Sequence, residues 1–217
     1  MPPFGVIFDI DGTSVDNHAF HEEAWLVWGQ RNHKPIERDY YREHLYARTN
    51  AQIFRTLYGD SIAEAEIERG AMDKEAIYRE IYGPVMEPMP GLVELLDALQ
   101  RAGVPCAAAS NANRINVDFV VDGLNLRRYF KTVLACEDVA HGKPDPEILL
   151  LAASRMGLAP TQCKIFEDSA AGFEAARRAG MTCIAITGHS RAAELPPHVT
   201  RQYPDFRDLT AEAVAQM

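Results

Sequence analysis

Phe4-Gly-Val-Ile-Phe-Asp-Ile-Asp-Gly-Thr-Ser-Val-Asp16 is the stretch that decides the reading of this chain. A short apolar run ends in two acids, Asp9 and Asp11, with Gly12-Thr13 directly behind them. Such a run reads as a buried strand that carries the acids at its carboxyl end. Carboxylates placed there can hold a hard cation, and Mg²⁺ suits one or two carboxylates together with phosphate oxygens. The spacing also allows a division of labour. Asp9 can attack phosphorus as a carboxylate nucleophile, and Asp11 can pass protons as general acid and base. Gly12 and Thr13 turn the chain, and the Thr13 hydroxyl can donate to a phosphate. An ordinary strand followed by an Asp-Gly turn would look the same, so the decision falls to the rest of the chain.

From about residue 90 onward short apolar runs alternate with amphipathic stretches. Strands are expected at 105–109, 132–136, 163–166 and 182–187, and helices at 92–102, 115–123, 146–156 and 170–179. This alternation predicts a parallel sheet with helices on both faces, the strand before Asp9 at its centre. Residues 17 to 86 contain no convincing strand and read as helices at 19–31, 38–45, 51–57 and 62–81. They form an all-helical insert on two linkers, of the kind that can close over the carboxyl edge of a sheet. The tail carries a weak strand-to-helix pattern around 203–209.

Each expected core strand is followed by chemistry. The first gives Asp9 and Asp11, the second Ser110 and Asn111, the third Gly142-Lys143-Pro144-Asp145-Pro146, and the fourth Glu167 and Asp168. Ligands of open parallel sheets bind beyond the carboxyl ends of the strands, so these groups should converge. A nucleophile, a hydroxyl and amide, a fixed cation and further carboxylates make up a kit for phosphoryl transfer, where positioning and charge neutralisation carry most of the catalysis. Taken singly, Ser110-Asn111 or Glu167-Asp168-Ser169 could just cap a helix, and Pro146 could open one.

In that order, D-I-D-G-T, Ser110-Asn111, G-K-P-D-P-E and F-E-D-S-A-A-G-F-E-A-A-R-R-A-G-M resemble the motifs of the haloacid dehalogenase superfamily. The helical insert resembles the small cap of its β-phosphoglucomutase-like subfamily. The resemblance implies an α/β fold, with a Rossmann-like parallel sheet core at 1–16 and 88–217 and a helical cap domain at 17–87. It implies Asp9 as nucleophile and Asp11 as acid and base. Mg²⁺ would be held by the Asp9 carboxylate, the Asp11 main-chain carbonyl and Asp168, with Glu167 as ligand or neighbour of a ligand. Ser110 and Lys143 would bind the transferring phosphoryl group.

Substrate-facing residues are expected in the insert. His21 and Trp25 stand where related sugar-phosphate enzymes carry a histidine and an aromatic, although Trp25 also fits an apolar helical stripe. Arg48, in L-Y-A-R-T-N-A, resembles an arginine that reaches down from the cap, and a guanidinium grips phosphate well. Asn111 and Arg114 are further candidates. The mutase pattern places a lysine after the second-motif serine. Here the order is Asn111-Ala112-Asn113-Arg114, with Arg114 displaced by one position. Thr13 follows the phosphatase habit. A phosphonate-cleaving branch would need a cap lysine, and Lys34 and Lys74 do not occupy the early cap position it requires. The reading is a Mg²⁺-dependent phosphatase of a small phosphorylated metabolite, a sugar or polyol phosphate, working through an aspartyl-phosphate. The alternatives are β-phosphoglucomutase and, from another class, a catalytically idle ligand-binding protein.

Bulk properties agree. The chain has 217 residues and a net charge of −9, which argues against nucleic-acid binding. No run approaches membrane-spanning length, and Met-Pro-Pro-Phe-Gly lacks the features of a leader. Cys106, Cys136, Cys163 and Cys183 are widely spaced and read as buried free thiols, which suits a reducing cytoplasm. Oligomeric state is open; a monomer would suffice, because a cap can exclude water by itself.

Overall fold

The four residues of β1 (Gly5–Phe8) are all buried, as an apolar run in the middle of a parallel sheet requires. The computed structural model describes residues 4–46, 48–188, 195–199 and 201–217. Met1-Pro2-Pro3, with the leader reading made on them, lie outside that set. β1 pairs in parallel with β2 (Cys106–Ala109) on one side and β4 (Cys163–Glu167) on the other. β3 (Phe130–Leu134), β5 (Thr182–Ile186) and β6 (Arg201–Tyr203) complete a six-stranded parallel sheet in the order β3-β2-β1-β4-β5-β6. Phe8 is level with Ala108 and Phe166, so Asp9, Ala109 and Glu167 leave the sheet at one edge.

The chain divides into two compact units, Met1–Asp16 with Met86–Met217, and Asn17–Val85. The second unit holds α1 (His18–Arg31), α2 (Arg38–Tyr40) running into a π-helical turn (Tyr41–Leu45), α3 (Asn50–Tyr58) and α4 (Glu64–Tyr82). The first unit holds the sheet with α5 (Leu92–Arg101), α6 (Arg114–Gly123), α7 (Glu147–Met156), α8 (Ala170–Ala179) and the short α9 (Ala211–Ala215). Their starts follow capping chemistry. Asn113 accepts from the Asn116 amide, Ser169 from Gly172, and Thr49 forms a reciprocal capping box with Gln52.

The helical unit has its own core. Trp25, Trp28 and Phe54 pack edge to face around one another, with centroids 5.0–5.5 Å apart. The buried Glu22 carboxylate of α1 takes the guanidiniums of Arg38 and Arg42, which pins α2 and the π-helical turn to α1. The arrangement of α2 and that turn differs from the single regular helix expected at 38–45.

β3 begins two residues earlier than the sequence suggested, because Phe130 packs beside Phe8, at 6.0 Å between ring centroids. As an edge strand it leaves carbonyls unpaired, and the Arg114 guanidinium covers that of Val133 at 3.2 Å. Cys106, Cys163 and Cys183 are buried strand residues, whereas Cys136, expected at a strand end, is half-buried in a 3-10 turn; all four are free thiols.

Phe8 is completely buried and meets Phe166 at 5.3 Å and Phe206 at 5.9 Å. It therefore fixes the ends of β1 and β4, from which the site residues emerge. Phe8→Ala should remove about 3–5 kcal/mol of stability and lower Tm by on the order of 10 °C in a thermal melt. A melt superimposable on the parent would show that this aromatic cluster does not hold the strands.

Candidate active site

The groups that follow β1, β2, β3 and β4 meet at one edge of the sheet. Lys143, in the loop between β3 and α7, is buried and points its ammonium between two carboxylates. Nζ donates to Asp9 Oδ1 at 2.5 Å and to Glu167 Oε2 at 2.7 Å. Asp9 is fixed at its main chain as well. Its N–H donates to Phe166 O, and its carbonyl accepts from the Ser14 hydroxyl at 2.5 Å. Gly12, with φ of 80°, makes the turn that brings Ser14 back under the strand end.

Asp9, Glu167 and Asp168 each present a carboxylate oxygen within 4.8 Å of the others. Burial and then the Glu167 carboxylate, with Asp168 and Asp11 behind it, hold the Asp9 carboxyl well above the usual carboxylate range, although Lys143 pulls the other way. Burial works against the Lys143 ammonium too, but Asp9 and Glu167 outweigh it and keep its affinity for the proton above that of an ordinary lysine. The carboxylates outnumber the ammonium, and the donor set is oxygen throughout. Both facts fit a hard divalent cation.

The fit is not equal for each acid. Glu167 Oε1 accepts from the Asp168 and Ser169 amides and from the Ser169 hydroxyl, at 2.8–3.2 Å, while Oε2 holds Lys143. Both of its oxygens are thus engaged by protein donors, which makes it a holder of Lys143 and of the turn into α8. Asp9 and Asp168 are the better candidates for a cation.

The other sequence candidates divide. The Ser110 hydroxyl lies 3.4 Å from Asp11 Oδ2 and accepts from the Ala112 amide, which puts it in the site. Thr13, expected to reach a phosphate, is fully buried and donates to Asp168 Oδ1 at 3.1 Å. Its hydroxyl thus orients the Asp168 carboxylate. Asn111 uses both polar atoms of its carboxamide on the main chain of Lys143. Arg114, the candidate for a second phosphate, is bound to Asp138 and Val133 O, with Asp118 at 3.6 Å. These carboxylates and the sheet edge are the partners of the guanidinium in this structure.

In the helical unit, Trp25 is interior packing against Trp28 and Phe54. His21 stacks on Tyr78 at 3.9 Å, with Nδ1 2.9 Å from Lys74 Nζ. Arg48 is exposed, and its guanidinium donates to Thr56 at 3.2 Å. Lys74, set aside on sequence, is buried and ion-paired with Glu75 at 2.9 Å, and Asn50 donates to the same carboxylate. Burial works to raise the Glu75 carboxyl, yet Lys74, His21 and Asn50 hold it below its usual range. The signal for this cluster was present in the sequence. Ile67, Gly70, Lys74, Ile77 and Tyr78 follow the inward spacing of α4, and a lysine in such a stripe is a buried charge in need of partners.

A family model for haloacid dehalogenase-like hydrolases matches residues 5–180. Among curated proteins, fructose-1-phosphate phosphatase YqaB of Escherichia coli (strain K12) is 34% identical over 84% of this chain and 95% of its own length. The chloroplastic 5-amino-6-(5-phospho-D-ribitylamino)uracil phosphatase of Arabidopsis thaliana is 28% identical over 88% of this chain, which spans about half of that longer protein, 52%. Among solved structures, a HAD hydrolase of family IA, variant 3, from Entamoeba histolytica superposes with a TM-score of 0.91 at 25% identity, covering 98% of both chains. With a model match over most of its length and a relative above 30% identity along nearly the whole of that relative, the chain belongs to the haloacid dehalogenase-like hydrolases.

Proposed function

We propose that this hydrolase is a phosphoric monoester hydrolase that removes phosphate from a small sugar or polyol phosphate, with Asp9 as nucleophile. The observation that carries the reading is the buried Lys143 ammonium, 2.5 Å from the Asp9 carboxylate at the carboxyl end of the central strand. It marks the place where a dianionic phosphoryl group would find positive charge beside a nucleophile. The phosphatase names of both curated relatives, one acting on fructose 1-phosphate and one on a phosphorylated ribityl compound, support the substrate class.

In this reading an Asp9 carboxylate oxygen bonds to phosphorus as the ester P–O bond breaks. The leaving oxygen takes its proton from the Asp11 carboxyl group. Water then attacks the aspartyl-phosphate and gives its proton to Asp11, and inorganic phosphate leaves with Asp9 regenerated. Lys143 and the Ser110 hydroxyl bind the oxygens of the transferring group. Asp9, Asp168 and the main-chain carbonyl of Asp11 would hold Mg²⁺, which when bound supplies positive charge that favours ionised Asp9 and offsets phosphate charge. Burial and the neighbouring carboxylates otherwise raise the hold of Asp9 on a proton. His21 and Arg48 are assigned to substrate selection in the helical unit. The mutase alternative is less well supported, because Arg114, the residue nearest the position of the mutase lysine, is paired with Asp138. No helix among the described residues is long and apolar enough to cross a membrane. A cytoplasmic site of action remains part of the proposal.

Phosphate release should be Mg²⁺-dependent across a panel of hexose, pentose and polyol phosphates and an aryl phosphate, and Asp9→Asn should reduce it to background with an unchanged melt. Near-normal turnover by that variant would overturn the nucleophile assignment. Asp168→Ala should shift the Mg²⁺ titration of activity to higher concentration and diminish the rise in Tm that Mg²⁺ gives the parent protein. An unaltered titration would remove Asp168 from the cation site.

A further inference from the structure

We propose that Asn111 is a positioning residue, whose carboxamide seats Lys143 by gripping that lysine's own main chain. The proposal rests on the phosphatase reading for what Lys143 does, and on geometry alone for how it is held. Asn111 Oδ1 accepts from the Lys143 N–H at 2.8 Å, and Asn111 Nδ2 donates to the Lys143 carbonyl at 2.9 Å. One planar amide thus closes on both backbone groups of a single residue across 32 positions of sequence. An amide side chain carries the donor and the acceptor that this grip needs on one planar group.

Each partner is anchored on its own side. Asn111 is the second residue after β2, where the Ser110 amide donates to Leu134 O at 3.1 Å and Ala112 O accepts from the Cys136 amide at 3.0 Å. Around the lysine, residues 139–146 form neither helix nor strand. Its preceding residues are tied through the Ala140 and His141 amides to the Glu147 carboxylate, at 3.1 and 2.9 Å. The approach depends on Gly142, since a β-carbon there would stand 2.7 Å from Asn111 Oδ1. Lysine has a long flexible stem, so placing Nζ between Asp9 and Glu167 requires a fixed starting point for that stem. The Asn111 clamp supplies it, connecting the strand end that carries Ser110 to the loop that carries the cation.

The test is a cycle of Asn111→Ala, Lys143→Ala and the double variant, assayed on an aryl phosphate, with Asn111→Asp as a second probe. Asn111→Asp keeps the acceptor for the lysine amide and loses the donor to its carbonyl. We expect Asn111→Ala to lower kcat by about tenfold to a hundredfold, as small misplacements of a catalytic group do. In the Lys143→Ala background the same change should cost less than about threefold, because its target is already gone. Asn111→Asp should fall between parent and alanine variant. Independently of activity, acetic anhydride labelling of Lys143, followed by peptide mass mapping, should be several-fold faster in Asn111→Ala and Asn111→Asp than in the parent. Equal kcat losses in the two backgrounds, or unchanged labelling of Lys143 in both variants, would overturn the proposal. A parent protein inert on every phosphate would sink the phosphatase reading only, and the labelling arm would still decide whether Asn111 seats the lysine.

Discussion

The ion pair that Lys143 makes with Asp9 and Glu167 is the constraint on which the rest of the site depends. Three charged side chains leave water here, and each would be costly alone. Together they are tolerable because the ammonium lies within 2.7 Å of both carboxylates and because protein donors occupy the remaining lone pairs of Glu167. Removing one partner would strand the other charges in the interior. The strand ends, the loop before α7 and the turn into α8 must therefore arrive together, and the sheet is what brings them. β1 is bordered by β2 and β4, so the acids of β1 and β4 and the amide after β2 all lie at adjoining strand ends.

The surplus of negative charge around Asp9 then acquires a function. In the protein alone it strengthens the hold of the Asp9 carboxyl on a proton, against the pull of Lys143. A divalent cation bound there would favour the ionised nucleophile and balance phosphate charge. Lys143 cannot do both tasks, since its ammonium is already shared between two acids. On this account cation and lysine have separate duties, and Thr13 and Asn111, which touch Asp168 and Lys143 respectively, keep those duties spatially apart.

How much of this was legible in the sequence follows from how local each signal is. β1 and β4 are continuous apolar runs ending in acids, and both could be read directly. The expected start of β3 falls two residues late because Lys131 interrupts the run, while Phe130 belongs to the strand through a tertiary contact with Phe8. The π-helical turn at Tyr41–Leu45 keeps helical patterning, so nothing in the sequence distinguishes it from an α-helix. Three polar candidates show the limit of a local reading. Thr13, Asn111 and Arg114 each have the chemistry of a phosphate ligand, but their partners Asp168, Lys143 and Asp138 lie 24 to 155 residues away. No local pattern reveals that a polar side chain is already spoken for. Trp25 is the converse case, since the stripe that buries it was visible and its interior position followed from spacing.

The central claim is that Asp9, held by Lys143, receives the phosphoryl group. The most direct measurement is acid quenching during turnover with Mg²⁺ and substrate, followed by borohydride reduction and peptide mapping. An aspartyl-phosphate is reduced to homoserine where a free carboxylate is not. The account predicts homoserine at position 9 and at no other aspartate. Reduction at Asp11 or Asp168, or a quenched enzyme in full turnover with no reducible carboxyl group, would contradict it.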